Sequence, residues 1–494
     1  MTPSSPEPST ELEVDHGWKQ INQGTDQFHE YCEYLFSSPR ILGSSLLQSI
    51  TDISDASTST DFCIVNDAAI EGISKHKARW KSLHGRSPQM LHDIIWMLGE
   101  FAYLSLRRAK LVFHATGSID ASRWIGATIA CNLAIDFCKH LPAWLLVYDI
   151  YSRIKLHTLY GVCLANIGRF FESTRHFNEA QALLSKFPGA GPADLAVIEL
   201  RRAEAVLTEC VYITPFLSSS DWSISSDGEP QNIQAFSELH GKGKEIRIAL
   251  LDGLPGGTQC SMATVRQEVH RHSDARVIFI PTRISECIRK SSPHKHPSQD
   301  AWRENAQRHL RRLYISVLDE ATALLDQAEL HLSGHSQSSL WWNRLYILRL
   351  RIYGLLEPLH NRAGDCLIFR KRSAEQGIFE SFRNAVRIAR DDPFRQYRAI
   401  KYFFEAESAL CQIAPPSPLS STPEGAKTFS DILPAARTDA ETKLEQLKDR
   451  LSTESQPHRE ALTSDATIKE TSFLGEAIIS LYDAHRRASS MERT

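Results

Sequence analysis

The stretch from His157 to Pro188, HTLYGVCLANIGRFFESTRHFNEAQALLSKFP, constrains the fold more than any other part of the chain. Tyr160-Gly161, Leu164, Gly168, Phe170, Ser173, Phe177 and Ala180 stand at fixed offsets, and Pro188 closes the unit. Large residues at this spacing fill the space between two helices, and the small ones let the helix backbones approach. The segment therefore predicts one helix-turn-helix unit, and it holds no catalytic signature.

The same offsets recur. Ser173, Phe177, Ala180 and Pro188 are separated by four, three and eight residues, and so are Ala127, Cys131, Ala134 and Pro142, and Ile378, Phe382, Ala385 and Pro393. A looser copy is Ala321, Leu325 and Ala328, ended by Ser333-Gly334. In each case a new helical segment starts soon after the break, at Trp144, Asp194, Phe394 and Leu340 onward. A helical unit that cannot bury its apolar face alone does so by stacking on its neighbours, so recurrence at this scale predicts a repeat array.

These positions resemble the tetratricopeptide repeat, whose paired helices carry small and aromatic residues at the same relative places. His157 stands where that family usually has Trp, Ser173 replaces an Ala, and the closing proline falls three residues late. Ala134 and Ala180 are 46 residues apart, against roughly 34 in the family. The resemblance implies an all-α fold, a tetratricopeptide-like array of helical hairpins (an α-solenoid), and a non-catalytic function in binding a partner peptide or protein.

Composition shifts divide the chain. Residues 1–15 are rich in Pro, Ser, Glu and Thr and read as a disordered tail. Residues 16–213 form an N-terminal helical repeat block, with helical stretches such as Gln27 to Phe36 and an apolar-periodic run from Leu91 to Ala115. Residues 214–300 read as a flexible polar insertion, mostly irregular. Its two β-type runs, Ile246 to Leu251 and Ala275 to Ile280, leave room for a small β-hairpin. A C-terminal repeat block follows at 301–413, then a Pro- and Ser-rich linker at 414–428 and capping helices in 429–494, near Asp439 to Leu451 and Glu470 to Ser489.

The chain has 494 residues, 42% of them hydrophobic and 23% charged, and a formal net charge of -3, so no global basic field marks a nucleic-acid coat protein. No apolar run is long enough for a membrane span, the N-terminus lacks a signal-peptide core, and the ten cysteines stand singly without a CxxC pair. These features lead to the expectation of a cytoplasmic protein with reduced cysteines and no membrane contact.

Candidate chemistry is sparse. Gly241-Lys242-Gly243-Lys244 and Gly253 to Thr258 lack the spacing of a phosphate-binding loop, and no nucleophile elbow is present. His29-Glu30-Tyr31-Cys32-Glu33 has Glu33 where a zinc protease needs its second His. The reading assigns no catalytic residues and no cofactor. Two His-x-His pairs, His270/His272 and His294/His296, are weak metal candidates: in an extended segment each pair would aim two imidazoles the same way, although histidines in a polar loop are commonly just solvated.

Arginines crowd the C-terminal block. If the first helix of each pair lines a concave groove, Arg344, Arg351 and Arg398 with Trp341, Trp342 and Tyr397 make a basic, aromatic binding surface for an acidic peptide. Core packing of the tryptophans and surface pairing of the arginines is the plainer reading. The function expected is an adaptor or a regulatory or sensor subunit within a larger complex. The alternatives are nucleic-acid or phosphate-ligand binding by the Arg-rich block, and a metal-dependent hydrolase built on the insertion histidines.

Overall fold

The computed structural model describes residues 121–141, 150–187, 190–218, 222–224, 230–231, 245–256, 260–271, 275–291, 299–334, 340–368, 374–390, 392–413 and 432–454, with separate positions between 92 and 113 and at 478, 481 and 482. The tail 1–15, the stretch Gln27 to Phe36, the His29 motif and the linker 414–428 lie outside these residues, as does most of Glu470 to Ser489. What is described is mostly helical.

In chain order the helices are α1 (Ser122–Cys138), α2 (Ile150–Asn166), α3 (Phe170–Leu184) and α4 (Pro192–Ser218). A strand-bearing segment follows. The remaining helices are α7 (Gln299–Leu332), α8 (Leu340–Gly354), α9 (Ala374–Ala389), α10 (Pro393–Ile413) and α11 (Ile432–Glu454). The last of these begins earlier and runs longer than the expected Asp439 to Leu451.

Every residue at the recurring small and aromatic offsets is buried. This holds for Ala127, Cys131 and Ala134 on α1, Ser173, Phe177 and Ala180 on α3, Ala321, Leu325 and Ala328 on α7, and Ile378, Phe382 and Ala385 on α9. The α2/α3 pair shows why the spacing is needed. The Ser173 hydroxyl donates to the Gly161 carbonyl at 2.6 Å, and a Cβ on Gly161 would sit 2.8 Å from the Phe177 ring. Gly168, at φ +84°, makes the turn between the two helices in the left-handed region that favours glycine. Pro393 opens α10, where Asp392 Oδ1 accepts from the backbone N–H groups of Phe394 and Arg395 at 3.1 and 3.2 Å, an N-terminal cap.

The segment 214–300 is more regular than the sequence reading expects. Helix α4 runs on to Ser218, through Pro215. A two-residue antiparallel ladder pairs β1 (Ser223–Ile224) with β2 (Pro230–Gln231). The two apolar runs, β3 (Glu245–Leu250) and β4 (Ala275–Ile280), pair in parallel, with Ile248 opposite Ile278, and helix α5 (Met262–Arg271) lies between them in sequence. A parallel pair needs a crossover of about a dozen residues or more, and the stretch between the runs supplies it. The sequence of β4, ARVIFI, carries the signal: Val277, Ile278, Phe279 and Ile280 are all buried, a continuous apolar run of the kind parallel strands show.

This unit is locked to the helices. The Ala121 N–H donates to the Val277 carbonyl at 3.1 Å. A Cβ on Gly168 would meet the Phe279 carbonyl oxygen at 3.0 Å, so the α2/α3 turn lies directly on β4. From α6 (Thr282–Lys290), Arg283 donates to Glu209 Oε2 at 2.8 Å, and burial still pushes the Glu209 carboxyl up to about 7.

Helices α4 and α7 flank the insertion in sequence and pack along each other. Glu199 meets His331 at 2.8 Å, Arg202 meets Glu320 at 3.5 Å, and Gln307 donates to the Phe216 carbonyl at 3.3 Å. The strand-bearing unit thus sits in the turn of one long helical hairpin. Trp222 packs edge-on against both Phe216 and Trp302 where the chain leaves α4 and enters α7.

Gly161→Ala is expected to destabilise the protein by about 1–3 kcal/mol through overpacking against Phe177, read as a lower denaturant midpoint. An unchanged midpoint would show that the α2/α3 contact is loose.

Candidate functional site

Helix α4 is buried on nearly every side, yet it carries Glu199, Glu204 and Glu209, all buried. A carboxylate inside a helix layer is costly unless cations surround it. At Glu204 they do. Lys110 Nζ lies 3.0 Å from Oε2 and 3.2 Å from Oε1, Arg344 of α8 donates to Oε2, and Arg398 of α10 stands 3.8 Å from Oε1. Burial pushes the Glu204 carboxyl up, but Arg344, Lys110, Arg398 and Arg201 outweigh it and hold the group well below the usual carboxylate range.

The cationic layer extends along two helix faces. Arg344 and Arg351 lie seven residues apart on α8, hence on the same face. Arg398, Lys401, Tyr402 and Glu405 repeat at three and four residues along α10, which packs on α8. Burial and the neighbouring Arg351 and Arg398 lower the Lys401 ammonium, against the pull of Glu405. Burial raises the Glu405 carboxyl in turn, although Lys401 and Arg351 oppose it.

The structure therefore brings together three of the residues singled out in the sequence, Arg344, Arg351 and Arg398, and buries them, at 3, 7 and 6% exposure. Tyr397 and Trp342 are buried too, Trp342 stacking on Tyr346, and Trp341 is half-buried. This differs from the groove-lining surface expected: Arg344 and Arg398 face the Glu204 carboxylate instead. The partners that reasoning from sequence missed are Glu204, Lys110, Lys401 and Glu405. For Glu204 and Lys110 the signal was charged residues set among runs of apolar ones, as in LAVIELRRAEAVL and FAYLSLRRAKLVF.

Most of the metal candidates lie outside the described residues. His270 stands in the last turn of helix α5, and His272, His294 and His296 lie outside the described residues. Cys260 is buried and Cys287 half-buried. Among the described residues no three His, Cys, Asp or Glu side chains come together to hold a metal ion.

A second polar contact lies within the α2/α3 hairpin. His157 Nδ1 and His176 Nδ1 are 2.9 Å apart, so one ring donates and the other accepts, and the Tyr160 ring lies 4.5 Å from that of His176. Burial lowers His157 to about 4, with Arg153 adding and Glu179 opposing. Burial, His157, Arg175 and Arg169 lower His176 to about 3.

No helix among the described residues is long and apolar enough to cross a membrane. Compared with protein-family models, with curated proteins and with solved structures, the chain finds no match.

Glu204→Gln removes the carboxylate and leaves Arg344 buried without its counter-charge. A loss of about 3–5 kcal/mol is expected in denaturant unfolding, and a loss under about 1 kcal/mol would mean that water already screens the group. The two histidines are neutral when folded and take up protons when unfolded. Stability is therefore full above about pH 6.5 and falls as the pH drops toward about 4, by at most about 1.4 kcal/mol per pH unit for each proton. His176→Gln should flatten that slope in unfolding measured across pH 4–7, and an unaltered slope would place its origin elsewhere.

Proposed function

We propose that this chain is a non-catalytic, tetratricopeptide-like scaffold that acts as an adaptor or regulatory subunit by binding an acidic segment of another protein. The observation that carries this reading is the order of helix contacts. Helix α2 packs on α4, α4 on α8 and α8 on α10, a continuous inner layer. Against it, α3 lies on α4, α7 on α4, α9 on α8 and α11 on α10, an outer layer. That alternation is what stacked helical hairpins produce, and the inner layer is the one that repeat proteins offer to ligands.

The charge on that layer supports an acidic partner. Arg344, Arg351, Arg398 and Lys401 all lie on inner helices, and half-buried Lys401 and Trp341 are the members a docked peptide can reach. Recognition would come from an aromatic anchor beside a cationic wall, a pairing enriched at interaction hot spots. A polynucleotide draws less support, since guanidiniums buried as deeply as Arg344 and Arg398 do not reach a phosphodiester strand.

The test is affinity capture of the full chain from its native extract beside Trp341→Ala and Lys401→Glu. A stoichiometric protein partner is expected with the parent chain and is lost from both variants while their circular dichroism is unchanged. A partner retained by both variants would remove the inner layer as the binding face.

A further inference from the structure

The side chain of Glu209 on α4 is 2% exposed, and only half of its carboxylate is satisfied. Oε2 accepts from Arg283 at 2.8 Å, whereas Oε1 is buried without a hydrogen-bond partner among the described residues. Glu204, five residues earlier, meets Lys110, Arg344 and Arg398. Glu209 has one cation, and the side chain that bears it is 45% exposed. That cation belongs to the strand-bearing unit, because Arg283 lies on α6, the helix that follows β4. One turn further along α6, Cys287 is near enough to feel the Glu209 charge, so the same face of α6 covers the carboxyl. Glu320 of α7 adds a like charge, and the nearby thiols Cys210 and Cys287 are kept neutral by burial. Among the described residues no charge on α2, α3 or α8, which also pack on α4, acts on Glu209. The carboxyl is thus desolvated, half unpaired and close to another carboxylate, three conditions that favour its neutral form. A proton is the ligand that satisfies it without a cavity: on Oε1 it removes the charge and leaves Oε2 to accept from Arg283.

We propose that Glu209 and Arg283 form a proton-linked latch, in which docking of the strand-bearing unit on α4 takes up a proton at Glu209 and is tighter in acid than in mild base. Lifting α6 returns the carboxyl to water, where it ionises at its ordinary value of 4.5, whereas the docked carboxyl keeps its proton up to about 7. Docking is therefore at full strength below pH 4.5, weakens as the pH rises toward about 7, and is level beyond that. The other ties to the helices, the Ala121 to Val277 hydrogen bond and the seat of Gly168 on Phe279, hold no titrating group. The latch adds a pH-dependent term to a junction that packing already holds. It stands on the Glu209 contact and is independent of any protein partner.

The experiment is hydrogen exchange of the full chain, read by mass spectrometry from about pH 4.5 to about pH 8.5 and corrected for the pH dependence of intrinsic exchange. Relative to α9, opening of the segment 275–290 is expected to grow by up to about tenfold per pH unit between about pH 5 and about pH 7, and to level off above. Glu209→Gln, neutral at every pH, should flatten that rise and keep the segment near its acid level of protection. Arg283→Gln changes a half-exposed side chain. It should leave opening near pH 5 almost unchanged and increase it several-fold near pH 8, whereas loss of a mere packing contact would act equally at both. Should Glu209→Gln fail to fold, the Arg283→Gln comparison decides alone. Opening of 275–290 that stays constant or falls as the pH rises, or an Arg283→Gln effect equal at both pH values, would overturn the latch and leave water as the partner of Oε1.

Discussion

The Glu204 carboxylate is the constraint around which the rest of the helices are arranged. It is desolvated, it stays ionised, and its counter-charges come from Lys110, from α8 and from α10. A carboxylate in water gives up its hydration only when several cations replace it at close range. The helices bearing those cations must therefore converge on α4, whatever the apolar packing alone would allow. Hydrophobic contact is non-directional and tolerates small shifts of one helix along another. The charge cluster removes that freedom, because a shift by one turn would carry Arg344 away from the Glu204 carboxylate.

The second organising contact runs along α4 and α7. The chain departs from this hairpin, builds a parallel strand-helix-strand unit, and returns, with Trp222, Phe216 and Trp302 closing the base. The unit then folds back on the helices that precede it, through Val277 and Phe279. It is attached at its base and along β4, so it acts as a buttress to the α2/α3 turn.

Much of this was legible in the residues themselves, for local reasons. The offsets of Ser173, Phe177 and Ala180 mark an interhelical contact because a helix places residues three and four apart on one face, and their burial follows. The apolar runs at Ile246 and Ala275 mark strands for the same kind of reason. Their direction of pairing did not follow, because it depends on the crossover helix and on what covers both faces of β4. That Arg344 and Arg351 share a face was likewise readable from helix periodicity, and Arg398 was grouped with them through the groove that the repeat resemblance implies. Their burial was not, because the carboxylate that permits it lies on α4, 140 residues before Arg344 in the sequence. Polar burial is decided by such distant pairs, and a single arginine in a helix looks the same whether it meets water or Glu204.

Placing the strand-bearing unit in the turn of the α4/α7 hairpin also sets an order of events during synthesis. The α2/α3 pair joins neighbours in sequence and can close as soon as both helices have emerged. Helix α4 cannot: the partner that covers its long apolar flank begins at Gln299, after the whole of 219–298 has been made. Until then the flank of α4 that α7 will cover faces solvent beside the ribosome, the kind of surface that chaperones bind and that aggregates when they do not. Closing so long a loop adds to the delay, so a deeply buried helix is made early and covered late.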